Sequence, residues 1–198
     1  MRHARTVNNH PSMPVISSGI PGPDLAADGL PRAEEVAKEI HHRFDVGAVH
    51  ASPLRRAVRT GEIIGFPLGL TPVVVPALTE CNVGSLENKS EPADFDTLNG
   101  QLARWRQPDG WRVRLGGDGD SGDEVRDRIL RYLVSLDWSV DTTIVAVSHA
   151  LALSSLMNVC GIDLGGRSSL SDRLPENCGW AMIARHDAGF HVADSDSW

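Results

Sequence analysis

The side chains able to do chemistry fall into a few short segments of this 198-residue chain: Arg2-His3 at its start, then Ser52, Arg55 and Arg56, then Glu80, and finally His149. A histidine imidazole can attack phosphorus. Arginine guanidiniums can hold the non-bridging oxygens of a phosphoryl group and neutralise their charge, and a carboxylic acid can protonate the leaving oxygen. Two histidines, arginines and one carboxylate are therefore the parts for phosphoryl transfer through a phosphohistidine, if the fold brings them together.

The elements that must do so can be read from periodicity. Residues 48–52 (Ala-Val-His-Ala-Ser) form a short strand ending at Ser52-Pro53, followed by a helix with Leu54, Ala57, Val58 and Gly61 on one side. Ahead of them Ala33, Val36, Ala37, Ile40 and Phe44 mark a helical face, with Asp28 as its expected cap and Pro31 in its first turn. Residues 73–75 read as another strand, and Glu80 lies just beyond it. Val125, Ile129, Tyr132, Leu133 and Leu136 form a further helical stripe. Residues 142–147 are almost wholly apolar and β-branched, as a parallel strand buried on both faces would be, and run into Ser148-His149-Ala150 and a helix through residue 159. Last strands are expected over 181–184 and 190–193. Strands alternating with amphipathic helices imply an α/β fold of three layers, α/β/α, around a mainly parallel central sheet. In such sheets ligands bind at the carboxyl ends of the strands, where His149, Ser52, Arg55 and Arg56 fall.

Two stretches are less regular. The turn formers from Asn8 to Asp24 indicate an ordered loop, and the polar, glycine-rich residues 84–122 read as a lid or insertion within a single domain spanning 1–198. Composition narrows the rest. With 41% hydrophobic and 23% charged residues and no apolar run near the roughly 18 a spanning helix needs, no membrane partner is expected. Nineteen Lys+Arg against 26 Asp+Glu give a net charge of −7, which opposes binding to nucleic acid. Cys81, Cys160 and Cys178 are far apart and in no paired spacing, and no apolar leader follows Met1, so a reducing cytoplasm is expected.

Arg2-His3-Ala4-Arg5-Thr6-Val7-Asn8-Asn9 resembles the R-H-G-x-T-x-x-N opening of the histidine phosphatase superfamily, which includes phosphoglycerate mutases and many small-molecule phosphatases. Asp28-Gly29 with Ala33 is similar to the family's L-T-x-x-G-x-x-Q-A, and 52–60 (Ser-Pro-Leu-Arg-Arg-Ala-Val-Arg-Thr) to its S-x-L-x-R-A-x-x-T. Leu78-Thr79-Glu80 through Gly84 is similar to L-x-E-x-x-x-G, Gly119-Asp120-Ser121 with Val125 and Arg128 to G-E-S-x-x-x-V-x-x-R, and Val147-Ser148-His149-Ala150 to V-x-H-G. Six segments in the family's order cover nearly the whole chain.

The resemblance implies a phosphoglycerate mutase-like fold and assigns roles. His3 is the nucleophile, Arg2 and Arg56 clamp the phosphate, and Asn9 and Thr6 shape the first loop. His149 donates a hydrogen bond to the phosphoryl oxygens, and Glu80 protonates the leaving alcohol and then activates water. Ala4 and Ala150 stand where the family has glycine, which requires φ below zero at both. The family also has a short apolar strand leading into R-H, so the first strand is expected to be truncated here: either translation starts upstream of Met1, the preferred reading, or a reduced sheet is stabilised otherwise.

Alone, each residue has a plainer reading: a terminal pair for Arg2 and His3, a core histidine for His149, a solvated helix face for Arg56, a surface carboxylate for Glu80. The ordered set is what favours chemistry. His10, His41, His42 and His50 show no spacing with a carboxylate that suits a metal, so neither metal nor cofactor is expected. Arg104-Trp105-Arg106 and Trp111-Arg112-Val113-Arg114 either grip a leaving group or pack the lid. The expected activity is metal-independent hydrolysis of a small phosphorylated metabolite; a mutase and a non-catalytic phosphate-binding module are the alternatives. Nothing opposes a homodimer.

Overall fold

The structure, a computed structural model, describes residues 1–9, 12, 14–107, 109–159, 162, 174–187 and 189–198. His10 and Cys160 lie outside the described residues. Three parallel strands, β1 (Val46–Ala51), β2 (Val73–Val74) and β3 (Thr143–Val147), form a sheet of order β2-β1-β3. The crossovers carry α2 (Arg55–Gly65) between β1 and β2, and α3 (Pro92–Trp105) and α4 (Gly122–Ser135) between β2 and β3; α1 (Leu30–Arg43) precedes β1 and α5 (Ala150–Val159) follows β3. One apolar cluster joins α1 and α2 to Val49, Ala51, Val145 and Val147. A second joins α3, α4 and α5 and reaches Ala146. Successive side chains of β3 thus feed opposite cores, which is the three-layer arrangement.

The last two strands depart from the parallel expectation. β4 (Trp180–His186) and β5 (Gly189–Asp196) pair antiparallel as a separate sheet. Their connection is two residues long, enough for a hairpin and far short of the dozen or more a parallel crossover needs. Residues Met1–His3 make a single parallel bridge, Arg2 to Ser148, at the end of β3.

Helix α1 keeps the expected face, with Ala33, Val36, Ala37 and Ile40 buried and Pro31 in the first turn. Its cap differs: Gly29 occupies the N-cap with no side-chain bond, because a 3-10 turn over Ala27–Gly29 carries the chain into the helix. Asp28 instead pairs with Arg5.

Residues 84–122 are also more regular than their composition suggests. Glu91 and Asp94 close a capping box around Pro92 and start α3. Phe95, Leu98, Leu102 and Trp105 recur at 3-4-3 spacing, and all four join the second cluster. Trp105, 2% exposed, donates its indole N–H to Val113 O at 2.8 Å. Arg114 pairs with Glu124, and the Arg126 guanidinium lies 5.0 Å above the Trp111 ring. Aromatic and basic groups of this segment therefore pack it onto α4.

Because Trp105 fills a core position, Trp105→Ala should lower the unfolding free energy in urea by about 3–5 kcal/mol. Trp111→Ala, at a half-buried site, should cost clearly less. Equal small losses would show that α3 is an appendage.

Candidate active site

His3 is fixed by its backbone before its ring does anything. Its N–H donates to Ser148 O at 3.0 Å, and its C=O accepts from Cys178 N–H (3.4 Å) and from the Asn177 amide (3.1 Å). The ring Nδ1 lies 2.7 Å from Ala4 O. A carbonyl only accepts, so Nδ1 carries the proton and Nε2 keeps its lone pair. Burial, with the Arg56 and Arg2 charges nearby, pushes the imidazole well below its ordinary pKa and keeps it neutral. Ala4 N–H donates to Thr60 Oγ1 at 3.0 Å, tying this turn to α2. Among the described residues only Asn88, Cys178 and Ser197 are non-glycine positions with positive φ, so Ala4 and Ala150 hold φ below zero.

Arg56, in the first turn of α2, brings its guanidinium against that ring. Its Nε–H is shared between His3 Nε2 at 3.1 Å and His149 Nδ1 at 3.2 Å, and its Nη2 donates to Ser17 O at 3.1 Å. With Nδ1 accepting, His149 must carry its proton on Nε2, which lies 2.7 Å from Ser52 Oγ; that oxygen also accepts Leu54 N–H at 3.3 Å. The two imidazoles tilt at 57° with centroids 5.0 Å apart. His149 is fully buried, and burial, followed by the closeness of the His3 ring and the Arg56 charge, holds it neutral as well. Gly22 makes room for this arginine: it sits at φ +70°, and a Cβ there would lie 2.5 Å from Arg56 Nη1.

Glu80 arrives on the loop after β2, which α4 and the residues just before it hold in place. Arg128 donates to Thr79 O at 3.1 Å and lies 3.6 Å from Asp120, whose carboxylate accepts Asn82 N–H at 3.0 Å. Ser121 caps α4 in a capping box with Glu124. These contacts explain the work of Asp120, Ser121 and Arg128. The Glu80 carboxylate accepts Ala152 N–H at 2.9 Å and Leu151 N–H at 3.3 Å, across the open N-terminus of α5. Burial raises its pKa against the lowering effect of the Cys81 N–H, which donates to Oε1 at 2.9 Å, of Arg56 and of those two amides.

A cleft of about 160 Å³ opens over this constellation, and Arg2, His3, Thr6, Asn9, Arg56 and Glu80 all line it. Thr6 N–H and Oγ1–H both donate to Asn9 Oδ1, at 3.1 and 3.0 Å, which leaves the Asn9 amide N–H groups to serve as donors. Arg2 is anchored by a bond from Nη1 to Pro175 O at 2.8 Å. Arg2 Nε and Arg56 Nη1 are buried and have no hydrogen-bond partner among the described residues. An oxyanion in the cleft would supply one to each. Val15, Ile16, Phe95 and Leu98 also line the cleft, beside the uncharged polar Asn8, Ser17 and Asn99.

Arg2, His3, Thr6, Asn9, Arg56, Glu80 and His149 thus meet at one place, with one difference in geometry, while Arg55 lies on the surface and pairs with Asp24. His149 lies behind His3 and Arg56, and both its ring nitrogens are engaged by protein groups. Sequence reasoning missed Ser17, Pro175 and Asn177, which hold the arginines and His3. Two of them act through backbone carbonyls, which no side-chain pattern marks. Among the described residues no three His, Cys, Asp or Glu side chains are grouped to hold a metal ion; His41 bonds Ile64 O and His50 bonds the Tyr132 hydroxyl.

A family model described as histidine phosphatase superfamily (branch 1) matches residues 1–195. A protein of Erwinia tasmaniensis named probable phosphoglycerate mutase GpmB is 32% identical over 133 residues, 64% of this chain and 60% of that protein. The chain spans about three fifths of the length of the curated relatives it matches. Mycobacterial glucosyl-3-phosphoglycerate phosphatase has a similar fold, with a TM-score of 0.75 at 22% identity, covering 100% of this chain and 95% of the other. The alpha-ribazole phosphatase of Shigella flexneri gives 0.72 at 21%, covering 100% and 94%.

Two outcomes are expected from this geometry. Gly22→Ala should displace Arg56 and weaken inorganic phosphate binding, read by calorimetry, by about tenfold (about 1.4 kcal/mol), with an unchanged circular dichroism spectrum. Stability to urea should also fall as pH is lowered below about 6.5, because unfolding lets His3 and His149 take up protons that the folded protein refuses. A pH-independent midpoint from 7 to 5 would contradict neutral buried rings.

Proposed function

The chain belongs to the histidine phosphatase superfamily, and from that premise we propose that it hydrolyses small phosphomonoesters without a metal, through a phosphohistidine on His3. The observation that carries this reading is the His3 ring: its proton is pinned on Nδ1 by Ala4 O, and its Nε2 lone pair, which accepts the Arg56 Nε–H at 3.1 Å, borders a cleft lined by two guanidiniums and a carboxyl group.

In the first step Arg56 turns its Nε–H from His3 Nε2 to the bound anion, the freed Nε2 lone pair attacks phosphorus and the bond from phosphorus to the ester oxygen breaks. Arg2 Nε and Arg56 Nη1 donate to the non-bridging oxygens as charge develops there. Glu80, its pKa raised by burial, gives its proton to the departing alkoxide. In the second step the Glu80 carboxylate takes a proton from water, the water oxygen attacks phosphorus, and the P–N bond breaks to return neutral His3 and release phosphate. His149 can offer a proton to the phosphoryl group only once Arg56 turns its Nε–H toward the anion and Ser52 becomes the donor to Nε2. Until then it positions Arg56.

A mutase is the second reading, and the curated relatives' names favour it. Against it, the described residues lining the cleft include no cation besides Arg2 and Arg56 to receive a substrate carboxylate. An uncharged alcohol suits such a lining better than a phosphoglycerate. A non-catalytic binding module would need the arginines but gains nothing from an aligned nucleophile and acid.

Hydrolysis of p-nitrophenyl phosphate should therefore survive EDTA and disappear in His3→Ala. Glu80→Gln should lower kcat by about 100-fold or more for an alkyl phosphate, within the usual range for a general acid, and much less for p-nitrophenyl phosphate, whose leaving group departs unaided. Loss of activity in EDTA, or faster phosphate migration within 3-phosphoglycerate than phosphate release, would reject the hydrolase reading.

A further inference from the structure

Helix α2 fixes the backbone of Arg56, but the far end of so long a side chain is placed by what it bonds. Besides the two imidazoles, that is the carbonyl of Ser17, which accepts Nη2–H at 3.1 Å. Residues 17–19 belong to no helix or strand. Whatever holds this loop therefore decides where the unpartnered Nη1 of Arg56 is aimed.

Ile16, one step earlier, is pinned through its backbone: its N–H donates to Lys89 O and its carbonyl accepts Asn88 N–H, both at 2.9 Å. The next residues are held by the side chain of Glu87. Its Oε2 accepts the Ser18 N–H at 2.7 Å and the Ser18 hydroxyl at 2.6 Å, and its Oε1 accepts Gly19 N–H at 3.2 Å. The fit is close, since a Cβ on Gly19 would lie 3.3 Å from Oε1. Ser18 Oγ also accepts Val83 N–H at 3.3 Å, which links the loop to the segment that carries Glu80. A 3-10 turn over Gly84–Leu86 delivers Glu87 from that same segment. Burial lowers the Arg56 pKa, and the carboxylates of Glu80 and then Glu87 oppose it, so both acids of this segment favour the charged guanidinium.

We propose that Glu87 is a positioning residue for the phosphate clamp: by holding residues 18 and 19 it fixes Ser17 O, and through that carbonyl it aims Arg56 Nη1 into the cleft. The inference rests on the reading of Arg56 as a phosphate ligand. Without Glu87 the Ser18 and Gly19 N–H groups turn to water, the loop relaxes, and the guanidinium swings on its stem. A glutamine at this position can keep the two Ser18 bonds through its carbonyl oxygen, but its amide nitrogen then faces Gly19 N–H, donor against donor.

The test compares Glu87→Ala, Glu87→Gln and a control, Asp24→Ala, which breaks the exposed Arg55–Asp24 pair at the other end of the same loop. Two quantities are read: the dissociation constant of inorganic phosphate by calorimetry, and hydrogen exchange at the Arg56 Nε–H by nuclear magnetic resonance, the signal being assigned by its loss in Arg56→Lys. Glu87→Ala should weaken phosphate binding about tenfold, the effect of losing hydrogen bonds that a charged group makes, and speed the Nε–H exchange by a similar factor. Glu87→Gln should fall between it and the native protein, and Asp24→Ala should match the native protein. In the Arg56→Lys background Glu87→Ala should change phosphate binding less than about twofold, because the group it acts through is gone. Equal losses in both backgrounds, or native exchange at Arg56 in Glu87→Ala, would overturn the proposal. Glu87→Gln, nearly the same in shape, carries the same comparison if the alanine variant does not fold. A native protein that binds no phosphate would reject the reading of Arg56 as a ligand, and the exchange at its Nε–H would then decide separately whether Glu87 positions it.

Discussion

Arg56 donates one N–H to two imidazoles at once, His3 Nε2 and His149 Nδ1, in an interior where burial keeps both rings uncharged. A guanidinium taken out of water costs several kcal/mol unless it is fully bonded or faces an opposite charge. Here Ser17 O takes one bond and the Glu80 carboxyl group contributes from across the cleft, yet Nη1 has no partner among the described residues. Much of the surrounding fold can be understood as holding this incompletely satisfied cation in place. Gly22 yields space to it, Thr60 ties its helix to the His3 turn, and Ser52 fixes the tautomer of the histidine behind it.

The same logic separates the two carboxylate tasks. Glu80 lies across the N-terminus of α5, where the Cys81 N–H, Arg56 and two α5 amides favour its charged form, but burial outweighs them and raises its pKa. A group balanced between those influences can hold a proton and accept one, which both halves of the proposed reaction need. Its loop is held by Arg128 and Asp120, residues far along the chain that take no direct part.

Much of the site was legible in the sequence because its side chains sit where strands end. His149 follows the apolar run 142–147, and Arg56 follows the Ser-Pro that ends β1, so periodicity placed them before any coordinates did. Helix α3 was not legible: Asp94, Asp96, Asn99 and Gly100 interleave with the 95-98-102-105 stripe, and only tertiary packing shows that Trp105 is core. The cap of α1 was misplaced because Asp28 has the right residue type, while the preceding 3-10 turn hands the position to Gly29. Ser17, Pro175 and Asn177 escaped because their contributions depend on loop conformation, which propensity does not encode.

The neutral Nε2 of His3 as nucleophile is the central claim. It is tested most directly by mixing enzyme and p-nitrophenyl phosphate, quenching within milliseconds into alkali, which spares phosphoramidates, and mapping the phosphorylated peptide by mass spectrometry. The claim predicts a phosphoryl group on His3, formed at a rate no slower than turnover and absent from His3→Ala. Steady turnover with no adduct, or an adduct on another residue, would contradict it.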